Sequence, residues 1–278
     1  MPASTALADL RAQLAALAMP VSTAEKGHVG LGIAALDNCL GGGLARAALH
    51  EIGSRGMVDL AAATAFALGI ASRAAERRPI LWVRQDALDG ETGRPHPSGL
   101  AELGLDPDRF LLMRAPDALG VLRAAAEGAR CAPLGAVVMQ PLTGSNVMTL
   151  TASRRLSLAA GASGVMILVV RTVSAEASTA QTRWLVASQP SRALEANAPG
   201  YPAFSIRLLR HRGGLTEREW QVEWDREGGS FRPMPEPSLL PRAKPNPHVP
   251  PLSRPLAAFP ADGPSEAYGE PVRLRRAE

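Results

Sequence analysis

Residues 50–71 read HEIGSRGMVDLAAATAFALGIA. An apolar strand end, a turn bearing Gly53 and Gly56, and a long alanine-rich helix follow one another without interruption. In an α/β domain this is where a phosphate-binding loop sits, because backbone amides at a helix N-terminus attract anions. A working loop of the GxxxxGK[ST] kind needs a lysine to neutralise the β- and γ-phosphates and a hydroxyl to hold magnesium. Here the turn is Gly53, Ser54, Arg55, Gly56, followed by apolar Met57 and Val58 and then Asp59, whose charge would repel a nearby phosphate. No lysine occurs anywhere between Lys26 and Lys244. A conventional phosphate loop is therefore excluded.

On either side of this turn the chain alternates between helical and strand-like periods. Upstream, a linker with Gly27, Gly30 and Gly32 leads to a helical turn over 33–40, a glycine cluster at 41–43 and a strand over 47–52. Downstream, the spacing predicts helices over 60–77, 98–103, 117–130 and 149–160, with strands over 80–83, 110–113, 136–139 and 165–170 between and after them. Strands that are unbroken apolar runs, such as AVVM and VMILVV, belong in a sheet covered on both faces, and helical spacers make parallel crossovers the natural topology. The expected fold is α/β, a doubly wound and mainly parallel sheet.

Residues 183–225 change character. Strands over 184–187, 204–210 and 219–224 alternate apolar with polar positions, and FSIRLLRHR and REWQVEW flank Gly213-Gly214, which predicts antiparallel strands at one sheet edge. Residues 4–18 carry apolar side chains at helical spacing behind Ser4 or Thr5 and are closed by Pro20, so 1–24 is expected to be a short N-terminal helix and linker, and 25–232 the domain. Twelve of the 24 prolines fall from Pro233 to Pro271, which predicts a disordered or polyproline-like tail over 233–278.

Composition narrows the class. With 278 residues, 46% hydrophobic but only 4% aromatic, the core must be mostly aliphatic, which favours α/β over all-β. Cys39 and Cys131 give neither a disulfide framework nor metal-ligand spacing, and the five histidines are dispersed, so no metal and a reducing cytoplasm are expected. No secretory pattern opens the chain and no run approaches the roughly 18 apolar residues of a membrane span, so neither export nor membrane insertion is expected. Net charge is +4, and all basic residues except Lys26 and Lys244 are arginines. That bias fits either guanidinium–phosphate contact or a GC-rich genome. No polymerase or nuclease carboxylate cluster is present.

The segment LGIAALDNCLGGGLARAALHEIG (31–53) resembles the lead-in of RecA-type recombinases, where a Leu-Asp helix and a Gly-Gly-Leu turn precede the strand before the phosphate loop. TASRRLSLAAGASGVMILVVR (151–171), TRWLVASQPS (182–191), APGYPAFSIRLLRHRGG (198–214) and WQVEWD (220–225) narrow the resemblance to the ImuA family, RecA-like accessory proteins. It covers about residues 25–232. The resemblance implies that Gln85 in RQDALDG stands where RecA carries its catalytic glutamate, and that Gln140 in AVVMQP stands where the magnesium-supporting aspartate would be. It also puts Arg171 near the missing Asn-Gln sensor of the γ-phosphate. A neutral amide cannot act as a general base. No cofactor and no catalytic residue are expected.

The same resemblance implies a role in the DNA-damage (SOS) response, supporting error-prone translesion synthesis. The expected partners are an ImuB-type Y-family-like protein, an error-prone replicative-type polymerase complex and RecA. A weak ATPase using an unorthodox site at 53–59, and a SulA-like cell-division inhibitor, are the alternatives. Candidate partner or DNA contacts are Arg154 and Arg155 on the helix over 149–160, and Arg207, Arg210 and Arg212 with Arg218 as a basic stripe on the edge hairpin. Tyr268, Arg273, Arg275 and Arg276 at the end of the tail complete the set. The bland reading of each is a solvated surface, and direct DNA contact stays open. Trp184, Trp220 and Trp224 are expected to pack the sheet rather than stack on bases.

Overall fold

The computed structural model describes residues 27–142, 147–173, 177–194, 198–214 and 217–234; the expected N-terminal helix and the proline-rich tail lie outside them. Two short strands, β1 (His28–Val29) and β2 (Leu44–Ala45), pair antiparallel around helix α1 (Ala34–Cys39). The Asp37 carboxylate accepts from the amides of Leu31 and Gly32 at 2.7 and 3.0 Å and fixes the entry to that unit. The glycine cluster is there for space as well as turn: a Cβ on Gly43 (φ 115°) would meet the Val29 carbonyl.

Among the described residues the main sheet has nine strands. They are β3 (Leu49–Ser54), β4 (Ile80–Gln85), β5 (Phe110–Ala115), β6 (Ala136–Gln140), β7 (Met166–Thr172), β8 (Thr182–Gln189), β9 (Ala203–His211), β10 (Arg218–Asp225) and β11 (Ser230–Pro233). Their order is β11-β10-β9-β8-β3-β7-β6-β4-β5. From β5 to β8 every pairing is parallel, and β9, β10 and β11 continue antiparallel. The expected mainly parallel sheet with antiparallel edge strands is what forms. β8 joins the two parts, parallel to β3 and antiparallel to β9, and one strand was not foreseen: β11 carries the domain through Pro233.

Helix α2 (Met57–Ala75) covers one face. Leu60, Ala63, Phe66, Ala67, Ile70 and Ala74 are buried along it. By length and hydropathy alone this 19-residue helix could cross a membrane, contrary to the expectation that no run comes close. Its apolar surface is spent on the sheet instead. The few aromatics of the chain gather there: the Phe66 ring lies 4.9, 6.1 and 6.3 Å from Phe231, Phe204 and Trp184. Trp184 and Trp224 are buried in this core, so at those positions the indoles pack the sheet. Gly69 lets β10 and β11 reach the helix, since a Cβ there would stand 2.9 Å from both Phe231 and Trp224. The short helices α3 (Leu88–Thr92) and α4 (Pro97–Glu102) follow β4, and α5 (Ala118–Gly128) and α6 (Leu150–Ser163) cover the opposite face through Val121, Ala124, Ala125, Leu156 and Ala160.

His50 locks the junction of β2, β3 and β8. Trp184 Nε1 donates to Thr182 Oγ1 at 2.8 Å, the Thr182 hydroxyl donates to His50 Nδ1 at 2.8 Å, and His50 Nε2 donates to the Ala45 carbonyl at 2.9 Å. A carbonyl can only accept, so the neutral tautomer protonated at Nε2 satisfies every partner. Burial lowers the His50 pKa from 6.5 to about 4, against a smaller upward pull from the Ala45 hydrogen bond. Because the unfolded chain takes up this proton first, stability is fully present above pH 6.5 and is lost as pH falls towards 4, by about 3 kcal/mol. Urea denaturation across that range should show the loss, and His50→Gln should flatten the slope between pH 6.5 and 4.

Candidate functional site

The carboxyl ends of β3, β7, β6 and β4, consecutive in the sheet, bring Gly53–Gly56, Arg171, Gln140 and Gln85 to one edge. The chain leaves β4 outward to β5 and leaves β6 in the opposite direction to β7, so a crevice forms between the two strands, where α/β sheets take ligands. Of the residues that the sequence placed in an ATP site, Gln140 and Gln85 stand at this switch point, while the turn at 53–56 lies at the end of β3, two strands from β6. Each of the three is engaged by the chain's own groups.

Gln140 is 1% exposed and uses both ends of its amide. Its Oε1 accepts from Trp82 Nε1 at 3.3 Å and from Arg84 Nε at 3.2 Å. Its Nε2 donates to Thr64 Oγ1 at 2.8 Å, and Thr64 in turn donates to the Leu60 carbonyl at 2.7 Å, tying β6 to α2. Arg84 is equally committed. Nη1 donates to Asp89 at 3.2 Å and to the Gly93 carbonyl at 3.3 Å, and Nη2 donates to Thr92 Oγ1 at 2.8 Å. The guanidinium carbon also lies 5.5 Å from the Trp82 ring centroid. Burial lowers the Arg84 pKa and the nearby Asp89 opposes the shift, but arginine remains a cation at any physiological pH. Asp89 is shared by Arg114 at 3.0 Å and Arg94 at 3.3 Å.

Gln85 accepts from the Leu142 amide through Oε1 at 2.9 Å, so its role is to anchor the segment leaving β6. The turn of residues 53–56 is equally occupied. A Cβ on Gly53 would stand 2.6 Å from Val173 Cγ2 and 3.1 Å from the Trp184 carbonyl, so only glycine lets the ends of β7 and β8 close on it. Ser54 is buried, and its carbonyl accepts from the Val173 amide at 2.8 Å. In the first turn of α2, Asp59 accepts from the amide and hydroxyl of Ser188, both at 3.0 Å. The positive end of the helix thus already faces a carboxylate of the chain itself. Beside it Val58 stands 92% exposed.

Arg171 does not reach this crevice as a sensor would. It flanks Glu51 at 3.8 Å from β7 while Arg183 contacts the same carboxylate at 2.8 Å from β8. Glu51 is buried on β3 between them, and removing one partner of such a cluster typically costs about 3–5 kcal/mol.

The remaining sequence candidates are scattered. Arg154 and Arg155 are exposed on α6. Arg207 pairs with Glu217 at 3.3 Å, Arg210 donates to the Ser178 carbonyl at 3.0 Å, and Arg212 is exposed at the turn. Arg218 registers with Leu208, on the opposite face of the sheet from Arg207, so the hairpin arginines form no single stripe. Tyr268, Arg273, Arg275 and Arg276 lie outside the described residues. Sequence reasoning passed over Arg84, Thr64, Asp89 and Glu51. Two of these had a visible signal, a charge inside an otherwise apolar strand, in ILWVRQ and LHEIGS.

No family profile and no curated protein matches the chain. Solved structures do. The crystal structure of the RadB recombinase aligns with a TM-score of 0.52, covering 74% of this chain and 99% of that one at 16% identity. Likeness at that identity establishes the fold, which is RecA-like.

Gln140→Leu would leave the Trp82 indole N–H and the Arg84 Nε–H without an acceptor and remove the bond to Thr64, so it should lower the unfolding free energy by about 3 kcal/mol in urea titrations. Gln140→Glu keeps the acceptor and should cost markedly less.

Proposed function

We propose that the chain is a non-catalytic RecA-like adaptor of the ImuA kind, acting in the DNA-damage (SOS) response to support error-prone translesion synthesis. In this reading it binds an ImuB-type Y-family-like protein within an error-prone polymerase complex, with RecA as a further partner. The observation that carries the non-catalytic half is the Trp82–Arg84–Gln140–Thr64 network. A magnesium ion there would meet a fixed cation in Arg84 and an amide whose donor and acceptor are both engaged, and each buried group left unpaired costs about 1–3 kcal/mol. The RecA-like fold and the segments over 31–53, 151–171, 182–191 and 198–225 support the choice of family.

An adaptor of this kind meets its partner whether or not nucleotide is present. Affinity capture of an ImuB-type protein by the purified full chain should therefore give the same yield with magnesium-ATP, with ADP and with neither. No capture under any of these conditions, or capture strictly dependent on ATP, would overturn the reading. The competing reading, an unorthodox ATPase at 53–59, expects magnesium-dependent phosphate release that a change at Gly56 abolishes.

A further inference from the structure

Helix α6 carries leucines on both of its faces. Ser153, Leu156 and Ala160 face the sheet, and the two serines at its centre serve the backbone and side chain of the next loop: the Thr179 amide donates to Ser153 Oγ at 3.2 Å, and the Ser157 and Thr179 hydroxyls bond at 2.8 Å. Of its three leucines only Leu156 is buried, while Leu150 is 54% and Leu158 66% exposed. Arg154 and Arg155 stand exposed between them, and neither forms an ion pair among the described residues. Leu150, Arg154, Leu158 and Ala162 follow one another four residues apart, so they make one ridge along the outer face. The helix contains no acidic residue. A solvated face normally carries the polar residues and the buried face the large apolar ones. Here two of the three leucines stand in water beside unneutralised cations.

We infer that the outer face of α6, Leu150, Arg154, Arg155 and Leu158, is a docking surface for an acidic amphipathic segment of another protein. The charge selects this occupant. A second copy of the chain packed on the same face about a two-fold axis would set arginines against arginines. Nucleic acid would use Arg154 and Arg155 but leave both leucines in water without a function. The chain's own flanks lack the charge: residues 1–26 hold Asp9 and Glu25 against Arg11 and Lys26. In 235–278, Glu236, Asp262, Glu266, Glu270 and Glu278 are outnumbered by Arg242, Lys244, Arg254, Arg273, Arg275 and Arg276. A segment with leucine-sized side chains on one stripe and carboxylates beside it satisfies both features at once, in the manner of an amphipathic helix laid on an apolar ridge. The surface is one helix of 14 residues, about 21 Å long, so the contact is small and its affinity modest.

This inference gives the adaptor reading a surface, and its test is separate from that of nucleotide dependence. The probe is a fluorescein-labelled synthetic helix of about 18 residues, with leucines at i, i+4, i+7 and i+11 and glutamates flanking them. Binding to the full chain is followed by fluorescence anisotropy. The expected result is saturable binding that weakens about tenfold with Arg154→Glu/Arg155→Glu, and about fivefold with Leu150→Ser/Leu158→Ser. A probe with every glutamate replaced by lysine should bind about tenfold more weakly. Because all four side chains are exposed, both double variants should melt at the parent temperature. Absence of acidic-probe binding at millimolar chain, or binding unchanged in both variants, overturns the inference. So does binding of a single-stranded oligothymidylate that is lost with the arginine variant and unchanged by the leucine variant, which assigns the face to nucleic acid. A melting temperature lowered by more than about 5 °C by the leucine variant assigns those residues to the fold and overturns it equally.

Discussion

A buried guanidinium has to be surrounded by acceptors, and at the carboxyl end of β4 that requirement organises everything near Arg84. Asp89 and Thr92 come from α3, the Gly93 carbonyl from the turn that ends it, and the Gln140 amide from β6. Taking such a charge from water costs several kcal/mol even after relaxation, and the cost is offset only when the hydrogen bonds are complete. The short helix after β4 can be understood as the device that supplies them. A cation fixed at this place disfavours a second cation beside it, so the group that ties the strand ends together also bears on what they can accept.

The rest of the carboxyl edge follows the same logic. Asp59 gives the N-terminus of α2 an anion from the chain itself, Gln85 anchors the segment leaving β6, and Gly53 lets β7 and β8 close over the turn. Below this edge the sheet is held by two further polar locks, His50 with Thr182 and Trp184 on one face and Glu51 with Arg171 and Arg183 on the other. Both straddle β3. That strand connects the parallel half to β8 and through it to the antiparallel half, so satisfying its polar side chains fixes the register of both neighbours.

Much of this frame could be read from the amino acids, for particular reasons. The runs AVVM and VMILVV belong to β6 and β7, at the centre of the sheet, where both faces are covered and every position has to be apolar. α2 was visible because alanine and leucine repeat over five turns. β11 was hidden because the four residues SFRP carry little pattern, and the strand is held by pairing with β10 and by Phe231 packing on Phe66 and Trp224. The alternation over 184–187 placed β8 at the sheet edge with its antiparallel neighbours, but it also lies beside β3, and its Arg183 is neutralised across the sheet by Glu51. The absence of a conventional phosphate loop was legible as missing residues, lysine above all. The polar network at the strand ends was not, because Trp82, Arg84, Gln140 and Thr64 come from β4, β6 and α2 and meet only in three dimensions.

The adaptor reading expects this crevice, where Trp82, Arg84, Gln140 and Thr64 hold one another, to take no nucleotide. The indole N–H of Trp82, which donates to Gln140 inside the network, is a direct reporter. Its 1H–15N resonance, assigned by its loss in Trp82→Phe, should keep its position as magnesium-ATP is raised to millimolar concentration. A saturable shift of that resonance, absent when magnesium is withheld, would contradict the account.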